Sequence, residues 1–365
     1  MTRLHALNDA GQSVWLDFIK RDMLQDGGLE RLVGDGIRGL TSNPTIFQKA
    51  IGGSSLYDEQ ILALTSNQPG LAAAAVFEEL AVADIRGAAD ILRPVYDAAD
   101  GGDGLVSLEV SPHLAHNADE TISEARRLWQ RVDRPNLMIK VPATPAGVPA
   151  MEKLTADGIN VNATLMFSLD SYVAIAEAYV RGLERSTEPS RLASVASFFV
   201  SRVDTKTDAE LEKVGSPEAM ELRGQVAVAN AKLAYRHYEQ IFGDEAFGHL
   251  SHRGGRPQRV LWASTSTKNP AYNDVLYVDS LVGPNTVNTL PPATIDAFTD
   301  HGTIDASALT TDVESADAII GLLDDLGVDF DRVTDELQAE GVASFADSYD
   351  DLLVTLADKI ALLNA

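Results

Sequence analysis

Short apolar runs, most closed by one polar or charged residue, alternate with longer stretches of helical period along most of the chain. The runs at residues 13–18, 37–40, 105–110, 136–142, 159–167, 192–200 and 259–264 read as strands, bounded by glycine, proline and serine. Residues 275–278 together with the turn region 281–289 supply an eighth candidate. Between them the pattern predicts helices at 29–33, 71–96, 145–156 and 169–183, and one long helix at 216–242. Capping boxes are expected at Thr121-x-x-Glu124 and Thr311-x-x-Glu314, and a helix start at Thr144-Pro145. Strand and helix in strict alternation imply parallel strands joined by crossovers. Eight such units over about 300 residues predict a (β/α)₈ barrel.

Residues 311–365 break the alternation and read as acidic helices. Val342, Phe345, Tyr349, Leu352, Leu353, Leu356, Ile360 and Leu363 recur at helical spacing. That stripe predicts a C-terminal helical extension docked on the barrel, with a homodimer contact as its alternative use. No repeat array or flexible linker interrupts the pattern, so one domain over 1–365 is expected.

One run differs from the others. In Asn136-Leu137-Met138-Ile139-Lys140-Val141-Pro142 a single lysine sits inside an apolar strand, and none of the other eight lysines does. Lysine is almost never fully buried without a partner or a task. Desolvation disfavours the charged form of an amine, and the neutral amine is the form that attacks a carbonyl to make a Schiff base. Alone, the stretch is better read as a lysine that ends a strand and reaches into solvent or a salt bridge.

Charge and composition narrow the classes. Lys+Arg 29 against Asp+Glu 54 gives a net charge of −25, which argues against nucleic acid and against acidic membranes as partners. There is no cysteine, hence no disulfide, thiolate nucleophile or cysteine-based metal site. The seven histidines are scattered, His113 and His116 being the closest pair, and no metal-ligand spacing is present. Neither a signal peptide nor a membrane-length apolar run is read, so a cytoplasmic location is expected.

In a (β/α)₈ barrel the chemistry sits at the C-terminal ends of the strands. The predicted strands place Asp17, Asn43, Glu109, Lys140, Asn162, Thr164, Ser197, Arg202 and Lys268 there. Each has an ordinary reading as a cap, a turn former, a satisfied core hydroxyl or, for Arg202, a partner of Asp204. Jointly they make a Schiff-base lysine, two carboxylates for proton transfer, amides for hydroxyl groups and two cations for a phosphate.

The motifs Thr41-Ser42-Asn43-Pro44-Thr45, NLMIKVPATPAG at 136–147, GINVNATLMFS at 158–168 and ASFFVSR at 196–202 resemble the signatures of transaldolase. The resemblance implies a class I aldolase barrel that uses no metal or organic cofactor. It implies transfer of a dihydroxyacetone unit from sedoheptulose 7-phosphate to glyceraldehyde 3-phosphate, giving erythrose 4-phosphate and fructose 6-phosphate in the pentose phosphate pathway. By the same resemblance Lys140 forms the Schiff base and Asp17 is the acid/base at the C4 hydroxyl. Glu109 and Thr164 hold a proton-shuttling water, Asn43, Asn162 and Ser197 orient hydroxyls, and Arg202 binds the distal phosphate. Lys268 stands near where better-known relatives carry a second phosphate-binding arginine. Fructose-6-phosphate aldolase is the nearest rival; it tends to carry glutamine where this chain has Glu109 and tyrosine where it has Phe199. A barrel that has lost its chemistry and serves as a scaffold is disfavoured because Lys140, Asp17 and Glu109 are all present.

Overall fold

The computed structural model of the chain describes residues 2–364. Its centre is a closed barrel of eight parallel strands in sequence order. The strands are β1 (Gln12–Leu16), β2 (Gly39–Leu40), β3 (Val106–Glu109), β4 (Leu137–Pro142), β5 (Val161–Met166), β6 (Ser194–Phe199), β7 (Arg259–Ala263) and β8 (Thr286–Leu290). Closure is made by β8 on β1, in register from Gln12↔Thr286 to Leu16↔Leu290. Strands covered on both faces should be apolar throughout rather than alternating, and every residue of β4, β5 and β6 is buried.

The eighth strand is Thr286–Leu290 alone. Residues 275–278, expected to contribute to it, instead lead into a one-turn helix, Leu276–Asp279. A four-residue apolar run reads the same as a strand or as a buried helical turn. Here the Asn273 side chain accepts from Val275 N–H and its carbonyl from Leu276 N–H, which starts the turn. The helix expected over 216–242 is two, Pro217–Glu221 and Val226–Phe242. They part at Gly224, whose φ of +75° belongs to the left-handed region and whose N–H is taken by Asp208.

Three expected helix starts also move. Asn117, not Thr121, caps the helix Ala118–Val132, and Glu124 accepts instead from Ser111 N–H. Thr311 bonds back to the Ser307 carbonyl, and the next helix, Val313–Asp325, starts from Asp312 without a side-chain cap. After β4 the helix begins at Gly147 and leaves Pro145 outside, though the Thr144 hydroxyl still accepts from Gly147 N–H at 3.2 Å.

The last helix, Phe330–Leu363, runs 34 residues and buries Leu337, Phe345, Leu352 and Leu356 from the stripe face. It packs on the helices Pro44–Gly52, Ala73–Ala98 and Ser201–Val214 and reaches the barrel itself. Gln338 donates to the carbonyls of Ala143 and Leu165, at the C-terminal ends of β4 and β5. Thr45 donates to Ser348, and Lys206 pairs with Glu336 and Glu340. The extension therefore lies across the end of the barrel where the strands finish. Among the described residues no helix is long and apolar enough to cross a membrane.

Gly147 sets how tightly the chain turns after the lysine strand. A Cβ there would fall on the Pro142 carbonyl oxygen, a backbone atom that cannot swing aside. Gly147→Ala should therefore destabilise the fold by about 1–3 kcal/mol, read as a lowered midpoint in urea with an unchanged slope. Gly158→Ala, at a glycine with nothing within 4 Å of its Cβ position but a φ of +85°, separates steric overlap from left-handed strain.

Candidate active site

Parallel register puts Glu109, Lys140 and Asn162 side by side on β3, β4 and β5. Residues in register share a face, and this face is the barrel interior, where the Lys140 residue is only 4% exposed. Its Nζ donates to the Ser42 carbonyl at 3.1 Å and lies 3.5 Å from Glu109 Oε2. Burial pushes the Glu109 carboxyl above the usual carboxylate range; Lys140 opposes the shift and Asp17 adds to it. Among the described residues neither Glu109 oxygen is hydrogen-bonded, and neither is Thr164 Oγ1. Buried polar atoms without partners are rare enough to mark a place built for something else.

Asp17 follows β1 and is fixed by its own N–H on the Leu290 carbonyl. Thr41 donates to its carboxylate at 2.7 Å and is itself linked to Thr289. Burial raises the Asp17 carboxyl, and Lys140, the Thr41 bond and Lys268 pull the other way. Thr164 owes its aim to a break in β5. The register with β6 slips by one residue between Ala163 and Met166, and Leu165 takes a left-handed φ of +58°. A bulge of this kind redirects neighbouring side chains, and a non-glycine residue at such a φ is strained.

Asn162 is wholly buried in the barrel interior. Its amide donates to Ser107 and accepts from Ser197, so the three form a bridge beneath Lys140. Asn43 has its carboxamide oxygen committed to Ile46 N–H as the cap of Pro44–Gly52. The residue lines a cavity of about 410 Å³ at the barrel end. Asp17, Lys140, Thr164 and Ser197 line the deep part of that cavity, and Phe199, Arg202 and Lys268 line its wall. Phe199 packs against Phe167, and the Arg202 guanidinium lies 5.6 Å from the centre of the Phe199 ring. Arg202 does not pair with Asp204; that carboxylate holds Ala227 N–H and the Tyr277 hydroxyl. Glu109 borders instead a smaller cavity of about 40 Å³ shared with Glu78, Glu124 and Tyr349.

A single lysine between a carboxylate and an amide, at the strand ends of such a barrel, is the arrangement that the sequence motifs implied. The family model described as Transaldolase/Fructose-6-phosphate aldolase matches residues 14–356. The chain belongs to the transaldolase/fructose-6-phosphate aldolase family. It is 49% identical over 362 residues to a transaldolase of Parafrankia sp. (strain EAN1pec), covering 98% of each chain. It is 50% identical to "Transaldolase 2" of Nostoc punctiforme, over 97% of this chain and 96% of that one. With a transaldolase of Thermobifida fusca it shares 47% identity over 98% of both.

Against the family pattern, Lys268 reaches the cavity from the loop after β7, donating to Ser266 at 2.6 Å. Residues not singled out from sequence also meet here. Thr41 orients Asp17, the Ser42 carbonyl accepts from Lys140, and Phe345 of the last helix lies with its ring centre 5.9 Å from Lys140 Nζ. Thr41 and Ser42 stand inside a motif that could have pointed to them; Phe345 carries no local signal beyond its place in the stripe.

The loop that carries Lys268 is clasped to the helix Ser201–Val214 through two acids. Tyr277 donates to Asp204 at 2.8 Å and Tyr272 to Asp208 at 2.6 Å. Burial pushes Asp204 up to about 6, against its two hydrogen bonds and with help from Asp208. A carboxyl raised on folding contributes stability below its unfolded pKa of 3.8 and loses it as pH rises through about 6. The loss amounts to about 3 kcal/mol at 1.36 kcal/mol per unit. Asp204→Asn keeps the shape and an acceptor but cannot ionise, so unfolding free energies measured at pH 4, 5, 6 and 7.5 should fall less steeply with pH in the variant than in the wild type.

Proposed function

We propose that this chain transfers a dihydroxyacetone unit from sedoheptulose 7-phosphate to glyceraldehyde 3-phosphate, with Lys140 as the Schiff-base residue. Family membership supports the reaction class. The single observation that carries the assignment of residues is the in-register row Glu109–Lys140–Asn162. It sets a carboxyl of raised pKa and a bridged amide on either side of the amine, and the amine lines a pocket that has cations at its wall.

The chemistry follows from that layout. Lys140 Nζ attacks the ketose C2 carbonyl to give a carbinolamine. Glu109, whose buried carboxyl holds a proton more tightly than usual, supplies that proton through a water held with Thr164, and hydroxide leaves as water. Asp17 then accepts the C4 hydroxyl proton as the C3–C4 bond breaks. Its electron pair passes into the iminium, leaving an enamine on Lys140 and a free aldose. The enamine attacks the aldehyde carbon of the acceptor, Asp17 returns the proton to the new alkoxide, and hydrolysis frees Lys140. Asn43 and the Asn162–Ser197 pair orient hydroxyls of the three-carbon unit. Arg202 and Lys268 hold the phosphate; the guanidinium fork suits that anion and the lysine acts as a point charge. The same reading makes no use of a metal, and it puts the enzyme in the cytoplasm among its sugar phosphates.

Borohydride reduction with fructose 6-phosphate, followed by peptide mapping, tests the nucleophile. The adduct should sit on Lys140. Lys140→Ala should lose trapping and turnover while keeping its circular dichroism spectrum, and an adduct on any other lysine would remove the assignment.

Transfer also requires that the enamine wait for an acceptor rather than take up a proton. Phe199 brings no hydroxyl to the cavity wall, where a tyrosine would add a proton donor. With fructose 6-phosphate alone the wild type should release little dihydroxyacetone, and erythrose 4-phosphate should restore rapid turnover. Phe199→Tyr should raise the ratio of release to transfer by at least about 10-fold, positioned acids being worth roughly 10²–10⁴ at full effect. Release as fast as transfer in the wild type would instead point to an aldolase.

A further inference from the structure

In a chain with 54 acidic residues against 29 basic ones, nearly every cation should find a carboxylate. Most of the lysines and arginines here do. Of those with no carboxylate within 4.0 Å, Arg3, Arg38, Arg86, Lys232 and Arg253 spend their donors on backbone carbonyls. Among the described residues this leaves Lys49, Arg202 and Lys268, which touch neither a carboxylate nor a carbonyl, and all three line the same cavity. They come from three separate elements: Lys49 from the last turn of Pro44–Gly52, Arg202 from the start of Ser201–Val214, and Lys268 from the loop after β7. They are close enough to interact, since Arg202 and Lys49 add to the effect of partial burial in lowering the Lys268 ammonium.

Mutual repulsion of three cations is an unfavourable arrangement, and the acid surplus relieves it only in part, through Asp17 on Lys268 and Glu340 on Arg202, neither within 4.0 Å. A bound dianion would relieve it. We propose that Lys49 is a third phosphate-binding residue, acting with Arg202 and Lys268 on the distal phosphate of the sugar substrates and setting the preference for phosphorylated over unphosphorylated aldoses. The inference rests on the sugar-phosphate reading above and adds a residue to it. Lys49 and Lys268 are both exposed and Arg202 is half-buried, so the two lysines also present charge to the incoming anion, on the surface of a molecule whose overall charge repels it.

The test uses the intact enzyme with fructose 6-phosphate as donor and two acceptors, D-glyceraldehyde 3-phosphate and D-glyceraldehyde, on wild type, Lys49→Gln, Lys49→Arg and Lys153→Gln. Lys153 is a surface lysine paired with Asp157 on the helix after β4 and serves as the control. Lys49→Gln should raise KM for the phosphorylated acceptor by about 3- to 5-fold, the span of one partly exposed ion contact. With fructose 6-phosphate held at a saturating concentration for each variant, its kcat should stay within twofold and its KM for D-glyceraldehyde should not change. The dependence of kcat/KM on salt should flatten in Lys49→Gln and return in Lys49→Arg. An unchanged KM, or an equal loss on both acceptors, would overturn the role of Lys49 while leaving the transferase reading standing. A wild type that does not turn over the phosphorylated acceptor would instead overturn the transferase reading.

Discussion

Everything at the catalytic end depends on keeping an amine and a carboxylate buried side by side. Burying such groups disfavours their charged forms, and their mutual attraction offsets this only when the geometry is held. A closed barrel provides that holding. Lys140 and Glu109 occupy facing register positions on neighbouring strands, and neither strand can slip without breaking the ladder on its other side. The contact of 3.5 Å is close enough for charge stabilisation and too long for a strong hydrogen bond, which leaves both groups available for proton transfer.

Beneath that pair the barrel is not simply oily. Ser107, Asn162 and Ser197 link β3, β5 and β6 through their side chains, passing under the lysine of β4. Every hydrogen bond in this bridge joins neutral groups, so it supports the charged layer without adding a competing charge. Among the acids raised by burial, Asp17 and Glu109 lie beside Lys140, and Asp204 lies in the clasp on the loop after β7. The two sets are separate in space: one lies around Lys140, and the other ties the loop that carries Lys268 to the helix Ser201–Val214.

The barrel was legible because most of its strands are short, largely apolar runs that end in a polar residue. Lys140 stood out for the same reason: a lone ammonium in an apolar strand has few ordinary uses. What could not be read depended on geometry that leaves no periodic trace. Leu165 looks like any core leucine, yet its left-handed backbone turns Thr164 toward the site. The stripe of the last helix indicated that it docks, but not that Phe345 would come to lie near Lys140. Lys49 is one polar residue in a helical pattern until the fold shows which cations lack partners. The eighth strand was partly misplaced because four apolar residues carry no information on which period they belong to.

The seam of the barrel has a consequence for synthesis. Gln12 pairs with Thr286, so the first strand emerges from the ribosome long before its partner exists. Until β8 is made, the growing chain is an open sheet with an unpaired edge, the form most prone to joining the wrong neighbour. Asp17 shares that wait, because its backbone is fixed by the carbonyl of Leu290. The helix that covers the barrel end follows later still. In vectorial synthesis β3–β5, which carry the Lys140 layer, are therefore complete before the seam that holds the Asp17 backbone can close.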